Sequence, residues 1–137
     1  MNADGAVAVL DASALIAFVY REVGGHRVEP ALRRGALISA VNWAETLSDM
    51  AERGDLLEAS VPRMMAALAD VGTLTIVRYD EIHAIETARL RMRTKSLGLS
   101  LADRSCLALG RIHRLPVLTT DRAWRSLHIS VKIEVIR

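Results

Sequence analysis

Four carboxylates stand in comparable settings along the 137 residues: Asp11 at the end of the apolar run AVAVL, Glu45 in VNWAET, Asp103 in LSLADRS and Asp121 in LTTDRAW. An acid at the end of a buried strand is unfavourable unless a partner offsets its charge. Two carboxylates ~4 Å apart repel by about 4 kcal/mol at an effective dielectric of 20. Four gathered in one place therefore hold protons or bind a cation. An all-oxygen donor set suits Mg²⁺ or Mn²⁺ rather than Zn²⁺. The histidines, His26, His83, His113 and His128, are dispersed, and none has a zinc-ligand spacing to another His or to Cys106. Carboxylate-held Mg²⁺ polarises a phosphoryl oxygen and activates water without a nucleophilic side chain. That matches a chain with neither a nucleophile elbow nor a glycine-rich phosphate loop. Phosphodiester hydrolysis is the reaction class these residues support.

Each acid also has a plainer reading. Asp11 and Asp121 can be helix N-caps. Ser100-x-x-Asp103 has the spacing of a capping box, with Asp in place of Glu. Glu45 can be a solvated helix residue. A common location favours the shared site. In an open parallel α/β sheet, ligands bind at the carboxyl ends of the strands, near the point where strand order reverses. Asp11 and Asp121 each follow a strand, Glu45 lies a turn or so past one, and Asp103 opens the most apolar helix.

The elements that must position these residues are legible as short β-rich runs alternating with helical patterns, which specifies an α/β domain with a mainly parallel sheet. Strands are expected at about Ala6 to Leu10, Ala36 to Ser39, Thr73 to Val77, Pro116 to Thr119 and Val131 to Ile136. Helices are expected at about Ala14 to Arg21, Val28 to Arg34 and Val41 to Arg53, with Ala40, Ala44, Leu47 and Ala51 on the inward face of the last and Val41 and Met50 on its flanks. Asp55 is expected to cap the next helix, which Pro62 must kink or split. A long helix from Asp80 to Arg93 is expected to turn Ile82, Ile85, Ala88 and Met92 inward. Lys95 to Leu99 reads as a loop, and Leu101 to His113 as a helix buried between layers.

The length is that of one domain, residues 1–137, and the 51% apolar content is ample for a core. Aromatics at 4% are too few for a base-stacking platform. The single cysteine, Cys106, excludes an internal disulfide and fits a core position in a reducing cytoplasm. MNADGAVAV has no positive leader region, and no apolar run approaches the ~20 residues of a spanning helix, so no membrane role is expected. Charge is uneven. Up to Ala88 there are 7 Lys/Arg and 13 Asp/Glu; from Arg89 onward there are 11 and 3. Such a basic C-terminal part suits a polyanion, RNA or DNA first in line, and equally a solvated basic face. Arg104, Arg122 and Arg125, near the acids in sequence, are the candidate RNA contacts. The run Arg89, Arg91, Arg93, Lys95 is open between phosphate contact and a solvated helix end. Trp43 and Trp124 read as packing residues.

With these residues in place, the chain resembles the PIN-domain ribonucleases, and among them the VapC-type toxins of bacterial toxin–antitoxin pairs. VLDASALIAF, SAVNWAETL, GLSLADRSCLALG and PVLTTDRAW carry the likeness. The resemblance implies a three-layer α/β/α fold with a five-stranded sheet and a Mg²⁺-dependent endoribonuclease, Mn²⁺ substituting. It implies that Asp11, Glu45, Asp103 and Asp121 form the metal site, with Asp11 and Asp103 as principal ligands and Thr119 and Ser13 in support. It also implies a homodimer, a cognate antitoxin that silences the site in a heterotetramer or larger assembly, and structured RNA such as tRNA as substrate. The alternative is a PIN-like module that binds RNA or protein without cutting, although such modules usually lack one of the acids. A phosphatase of the haloacid-dehalogenase type would need a second Asp where Ser13 stands.

Overall fold

The computed structural model describes residues 5–137. The first four residues, part of the stretch read above as lacking a leader's positive end, lie outside the described residues. In chain order, β1 (Ala8–Leu10) runs into α1 (Ala12–Val19). A 3-10 turn (Gly25–Arg27) leads to α2 (Glu29–Arg34), β2 (Ala36–Ser39) and α3 (Ala40–Glu52). Next come α4 (Leu57–Val71), β3 (Leu74–Val77), α5 (Glu81–Thr94) and a second 3-10 turn (Lys95–Leu97). The chain ends with α6 (Leu101–His113), β4 (Val117–Thr119), a third 3-10 turn (Arg122–Ser126) and β5 (Ile133–Val135).

The five strands form one parallel sheet in the order β3-β2-β1-β4-β5. Alternation along each strand feeds two separate cores. Ala8 and Leu10 of β1, with Ile38 of β2, pack against Leu15, Leu32, Met64 and Leu68 from α1, α2 and α4. Val9 and Leu37 face the other way, onto Leu90 of α5 and Cys106 to Leu109 of α6. The result is the expected α/β/α sandwich. Ser105 to Gly110 are buried around the whole circumference of α6, as its apolar sequence requires.

Two helices present a different face from the one their apolar residues define. In α5, Ile82, Ile85 and Met92 are exposed, Ala88 likewise, and His83, Thr87, Leu90 and Thr94 face inward. In α3 the fully buried line is Asn42, Thr46 and Met50, the last from the flank of the expected face; Leu47 is half-buried against the core, and Ala44 and Ala51 are exposed. The inward threonines donate to the carbonyl four residues back: Thr46 to Asn42 at 2.9 Å, Thr87 to His83 at 2.7 Å and Thr94 to Leu90 at 2.8 Å. Their hydroxyls are thus satisfied within the helix, and a methyl is what they offer the core. α4 passes unbroken through Pro62, so the expected split does not occur. Pro62 withholds one backbone donor, while Met64 and Leu68 on the same helix remain buried in the core. Asp55 does not cap α4. The N-cap is Leu56, without a side-chain bond, and the Asp55 carboxylate instead accepts the Tyr20 hydroxyl.

Backbone contacts lock the α2 and α4 ends together. Thr73 N–H donates to the Leu32 carbonyl at 2.9 Å. A Cβ on Gly72 would stand 1.9 Å from that same oxygen. Gly72→Ala is therefore expected to lower stability by about 3 kcal/mol in urea unfolding; a loss below about 1 kcal/mol would show that the two ends can part cheaply.

Candidate metal centre at the switch point of the sheet

Strand order reverses between β1 and β4, the adjacent pair whose neighbours lead in opposite directions. Asp11 follows β1 directly, and Asp121 comes two residues after the end of β4. α3 brings Glu45 and α6 brings Asp103 to the same rim. Asp11, Ser13, Glu45, Asp103 and Asp121 line one cavity of about 260 Å³.

Asp11 is the buried member, at 6% exposure. Its Oδ1 accepts the Ser13 hydroxyl at 2.7 Å and the Ala14 N–H at 2.8 Å, so it does cap α1. Its Oδ2 accepts the Thr119 hydroxyl at 2.6 Å. Thr119 Oγ1 in turn accepts the Asp121 N–H at 3.1 Å, and Ser13 Oγ accepts the Thr120 N–H at 3.0 Å. These bonds stitch the ends of β1 and β4 across the switch point. Burial pushes the Asp11 carboxyl up to about 6. The bonds from Thr119, Ser13 and Ala14 pull against that rise, and the Asp103 charge adds to it.

The other acids also fulfil their local readings. Asp103 completes a capping box: its N–H donates to Ser100 Oγ, and its Oδ2 accepts the Ser100 N–H, both at 3.0 Å. Asp121 Oδ1 accepts the Ala123 N–H at 2.9 Å. Each of these two carboxylates keeps one oxygen outside the capping bond. Glu45 is exposed, and partial burial followed by the Asp103 charge holds its carboxyl above the usual range.

Asp49, one turn beyond Glu45, also lines the cavity. Sequence reading missed it, although an i, i+4 spacing from Glu45 on one helix face was available as a signal. Asp49 is held by Arg53 Nε at 2.9 Å; the same guanidinium bonds Glu22 at 3.0 Å and covers the Tyr20 ring at 4.1 Å. Asn42 was also missed as a positioning residue. Its Nδ2 donates to the Ala102 carbonyl at 3.0 Å and docks α3 onto the start of α6. Trp124 is buried and lines the cavity beside Asp121.

Among the arginines, Arg122 and Arg125 are exposed in the turn after Asp121. Arg104 is placed elsewhere: its Nη1 donates to the Thr87 carbonyl at 3.1 Å, and its Nε is buried without a partner. One residue after Asp103, the helix has already rotated it toward α5, where it ties the two helices together. Cys106 is fully buried, and burial pushes its thiol well up, which leaves it an inert core residue.

Among the described residues, no three of the His, Cys, Asp and Glu side chains converge closely enough to share one ion directly. The carboxylates ring the cavity instead. Mg²⁺ dehydrates reluctantly and is commonly held through one or two carboxylates with several waters retained. At about 30 Å³ per water, the cavity has room for such a hydrated ion. The all-oxygen lining and the unfavourable buried charge of Asp11 both fit a divalent cation.

The PIN domain family matches residues 8–129. Among solved structures, the chain is similar to VapBC-5 of Mycobacterium tuberculosis, a member of the VapBC family of toxin–antitoxin systems, at 25% identity. That match covers 96% of this chain and 98% of the other, with a TM-score of 0.59. A toxin–antitoxin complex from Klebsiella pneumoniae matches at 20% identity over 92% and 99%, with a TM-score of 0.67. M. tuberculosis VapC20, a toxin that cleaves the sarcin–ricin loop, matches at 14% over 91% and 98%, with a TM-score of 0.64. No curated protein sequence matches the chain.

The raised Asp11 carboxyl has a stability consequence. Between pH 3.8 and about 6 the native state binds a proton that the unfolded chain has released. Metal-free protein should therefore lose stability as pH rises through that window, by about 3 kcal/mol in all. Asp11→Asn should be more stable than wild type in EDTA at pH 7.5 by about 1–3 kcal/mol and equal to it near pH 4. Urea unfolding at the two pH values checks this; a gap that does not change with pH contradicts it.

Proposed function

The chain belongs to the PIN domain family, and from that premise we propose that it is a divalent-metal-dependent endoribonuclease acting as the toxin of a toxin–antitoxin pair. The observation that carries this reading is the cavity at the switch point, where five carboxylates from four separate stretches of the chain, Asp11, Glu45 with Asp49, Asp103 and Asp121, line one space. A divalent ion held there would supply the Lewis acidity that a phosphodiester and an attacking water require.

The chain's own residues supply the rest. Thr119, Ser13 and the Ala14 N–H orient Asp11, so that its carboxylate needs no rearrangement when a cation arrives. Asp103 and Asp121 are aimed by their capping bonds and retain an oxygen each for the ion or its waters. Glu45, on a solvated helix edge, is suited to accept a proton from water at the cavity mouth. Arg122 and Arg125 offer the phosphate contacts, which position a strand without reading its sequence.

The partner assignments follow the neighbours, several of which are toxin–antitoxin complexes. An antitoxin would have to cover the acid cavity to silence it. Ile82, Ile85 and Met92 form an uncovered apolar line on α5, which supports self-association through that helix. No helix among the described residues is long and apolar enough to cross a membrane. We place the activity in the cytoplasm, where its RNA substrate and antitoxin would meet it.

The second reading, a module that binds RNA or protein without cutting, draws on the spacing of the acids around the cavity. One assay separates the two. With Mg²⁺ or Mn²⁺ the protein should cut total RNA, EDTA should stop it, and Asp11→Asn and Asp103→Asn should each reduce the rate at least 100-fold. Uncut RNA, or equal cutting by the variants, leaves only the binding module.

The toxin and dimer assignments are tested separately. Expression should arrest growth in a way that Asp11→Asn relieves. In sedimentation, Ile85→Glu should shift a dimer to monomer; a wild-type protein that is monomeric at 100 µM would exclude self-association through α5.

A further inference from the structure

A second cavity, of about 470 Å³, opens on the α1–α2 side of the sheet. It shares no lining residue with the acid cavity. Val7 and Ala8 at the start of β1, Pro116 just before β4 and Lys132 just before β5 place it toward the amino-terminal rim. β1 is three residues long, so the two rims are about 10 Å apart along it.

The charge of this second space is the reverse of the first. Arg27, Arg34 and Lys132 line it, with His26 and one acid, Glu134. Among the described residues, no carboxylate lies within 4.0 Å of any of the three cations. The wall that carries Arg27 is firmly set. A Cβ on Gly24 would fall 2.2 Å from the Ile136 carbonyl oxygen, and one on Gly25 would fall 2.2 Å from that of Ala17. The 3-10 turn is therefore pressed between the end of β5 and the end of α1. Arg27 Nη1 donates to the Val135 carbonyl at 3.2 Å, which fixes the guanidinium and leaves its other donors free.

Arg27, Arg34 and Lys132 are all exposed around this concavity and carry no carboxylate partner among the described residues, and guanidinium groups favour phosphate. A bare phosphate would fill little of 470 Å³ and would meet Glu134 unfavourably. A nucleotide resolves both points. Its sugar and base can lie on Pro30 and Pro116, and a ribose hydroxyl or exocyclic amine can donate to Glu134. We propose that this cavity binds a nucleotide unit, with its phosphate on Arg27, Arg34 and Lys132 and a sugar or base donor on Glu134. The unit is either a free nucleotide or one residue of a bound RNA strand held away from the acid cavity. The proposal does not rest on the nuclease reading, because the binding groups include neither the acids of the first cavity nor a metal.

The test is calorimetric titration in EDTA, so that no RNA is cut, with AMP, inorganic phosphate and a short single-stranded RNA. Wild type and Asp11→Asn should bind AMP alike and at least tenfold tighter than phosphate. Arg34→Glu combined with Lys132→Glu should weaken AMP at least tenfold, with the unfolding midpoint confirming an intact fold. If the ligand is an RNA residue, the same double variant weakens RNA and lowers the slope of log affinity against log salt by about 0.7 for each phosphate it no longer neutralises. If it is a free nucleotide, RNA affinity stays constant while AMP binding disappears. AMP binding that is absent from wild type at millimolar concentration, unchanged in the double variant, or abolished in Asp11→Asn overturns the proposal.

Discussion

The solvation of one buried carboxylate organises this molecule. Asp11 sits where the central strand ends, almost out of reach of water, and burial drives its carboxyl up to about 6. What holds it there is a set of donors from two chain segments more than a hundred residues apart in sequence: Ser13 and Ala14 on one side, Thr119 on the other. The same hydroxyls accept backbone N–H groups from Thr120 and Asp121. The junction of β1 and β4 is thus closed by side chains just where the ladder of backbone bonds ends. Removing Thr119 would unfasten the second acid as well as the first.

Capping and ligand binding are usually weighed as alternatives for an acid at a helix start. Here they coincide. Asp11, Asp103 and Asp121 each satisfy an N-terminal donor of the turn or helix they open. A cap holds the carboxylate in one rotamer, and for Asp103 and Asp121 it engages a single oxygen. The local bond therefore fixes the group at the wall of the cavity it lines. Glu45 has no cap, and its place depends on α3 being docked against α6 through Asn42 and the Ala102 carbonyl.

Much of this was legible in the chain because the signals were local. The run AVAVL with Asp11 behind it and the capping spacing Ser100 to Asp103 both act within a few residues. Strand positions agree to within two residues for the same reason. The two helices whose faces were read wrongly share one physical cause. On α3 and α5 the inward faces are built from Asn42, Thr46, His83, Thr87 and Thr94, which a hydropathy pattern counts as solvent-facing. Threonine that bonds the carbonyl one turn back behaves as a small branched apolar residue, and no periodicity of Ile, Leu and Met reveals it. Arg104 was misread for a related reason. Its charge suggested phosphate, but its helical angle delivers it to the Thr87 carbonyl. Asp49 was overlooked because its partner, Arg53, makes it look like an ordinary surface ion pair.

The strain on Asp11 also bears on how a lineage carrying this chain can change. Most substitutions that inactivate a protein also damage its fold, so misfolding and loss of function are purged together. At Asp11 the two are partly separated: burial disfavours the charged carboxylate while the bonds from Thr119, Ser13 and Ala14 favour it, so in the metal-free protein a neutral replacement is expected to keep the fold and lose what the carboxylate does. Selection on that loss then acts through function rather than through misfolding.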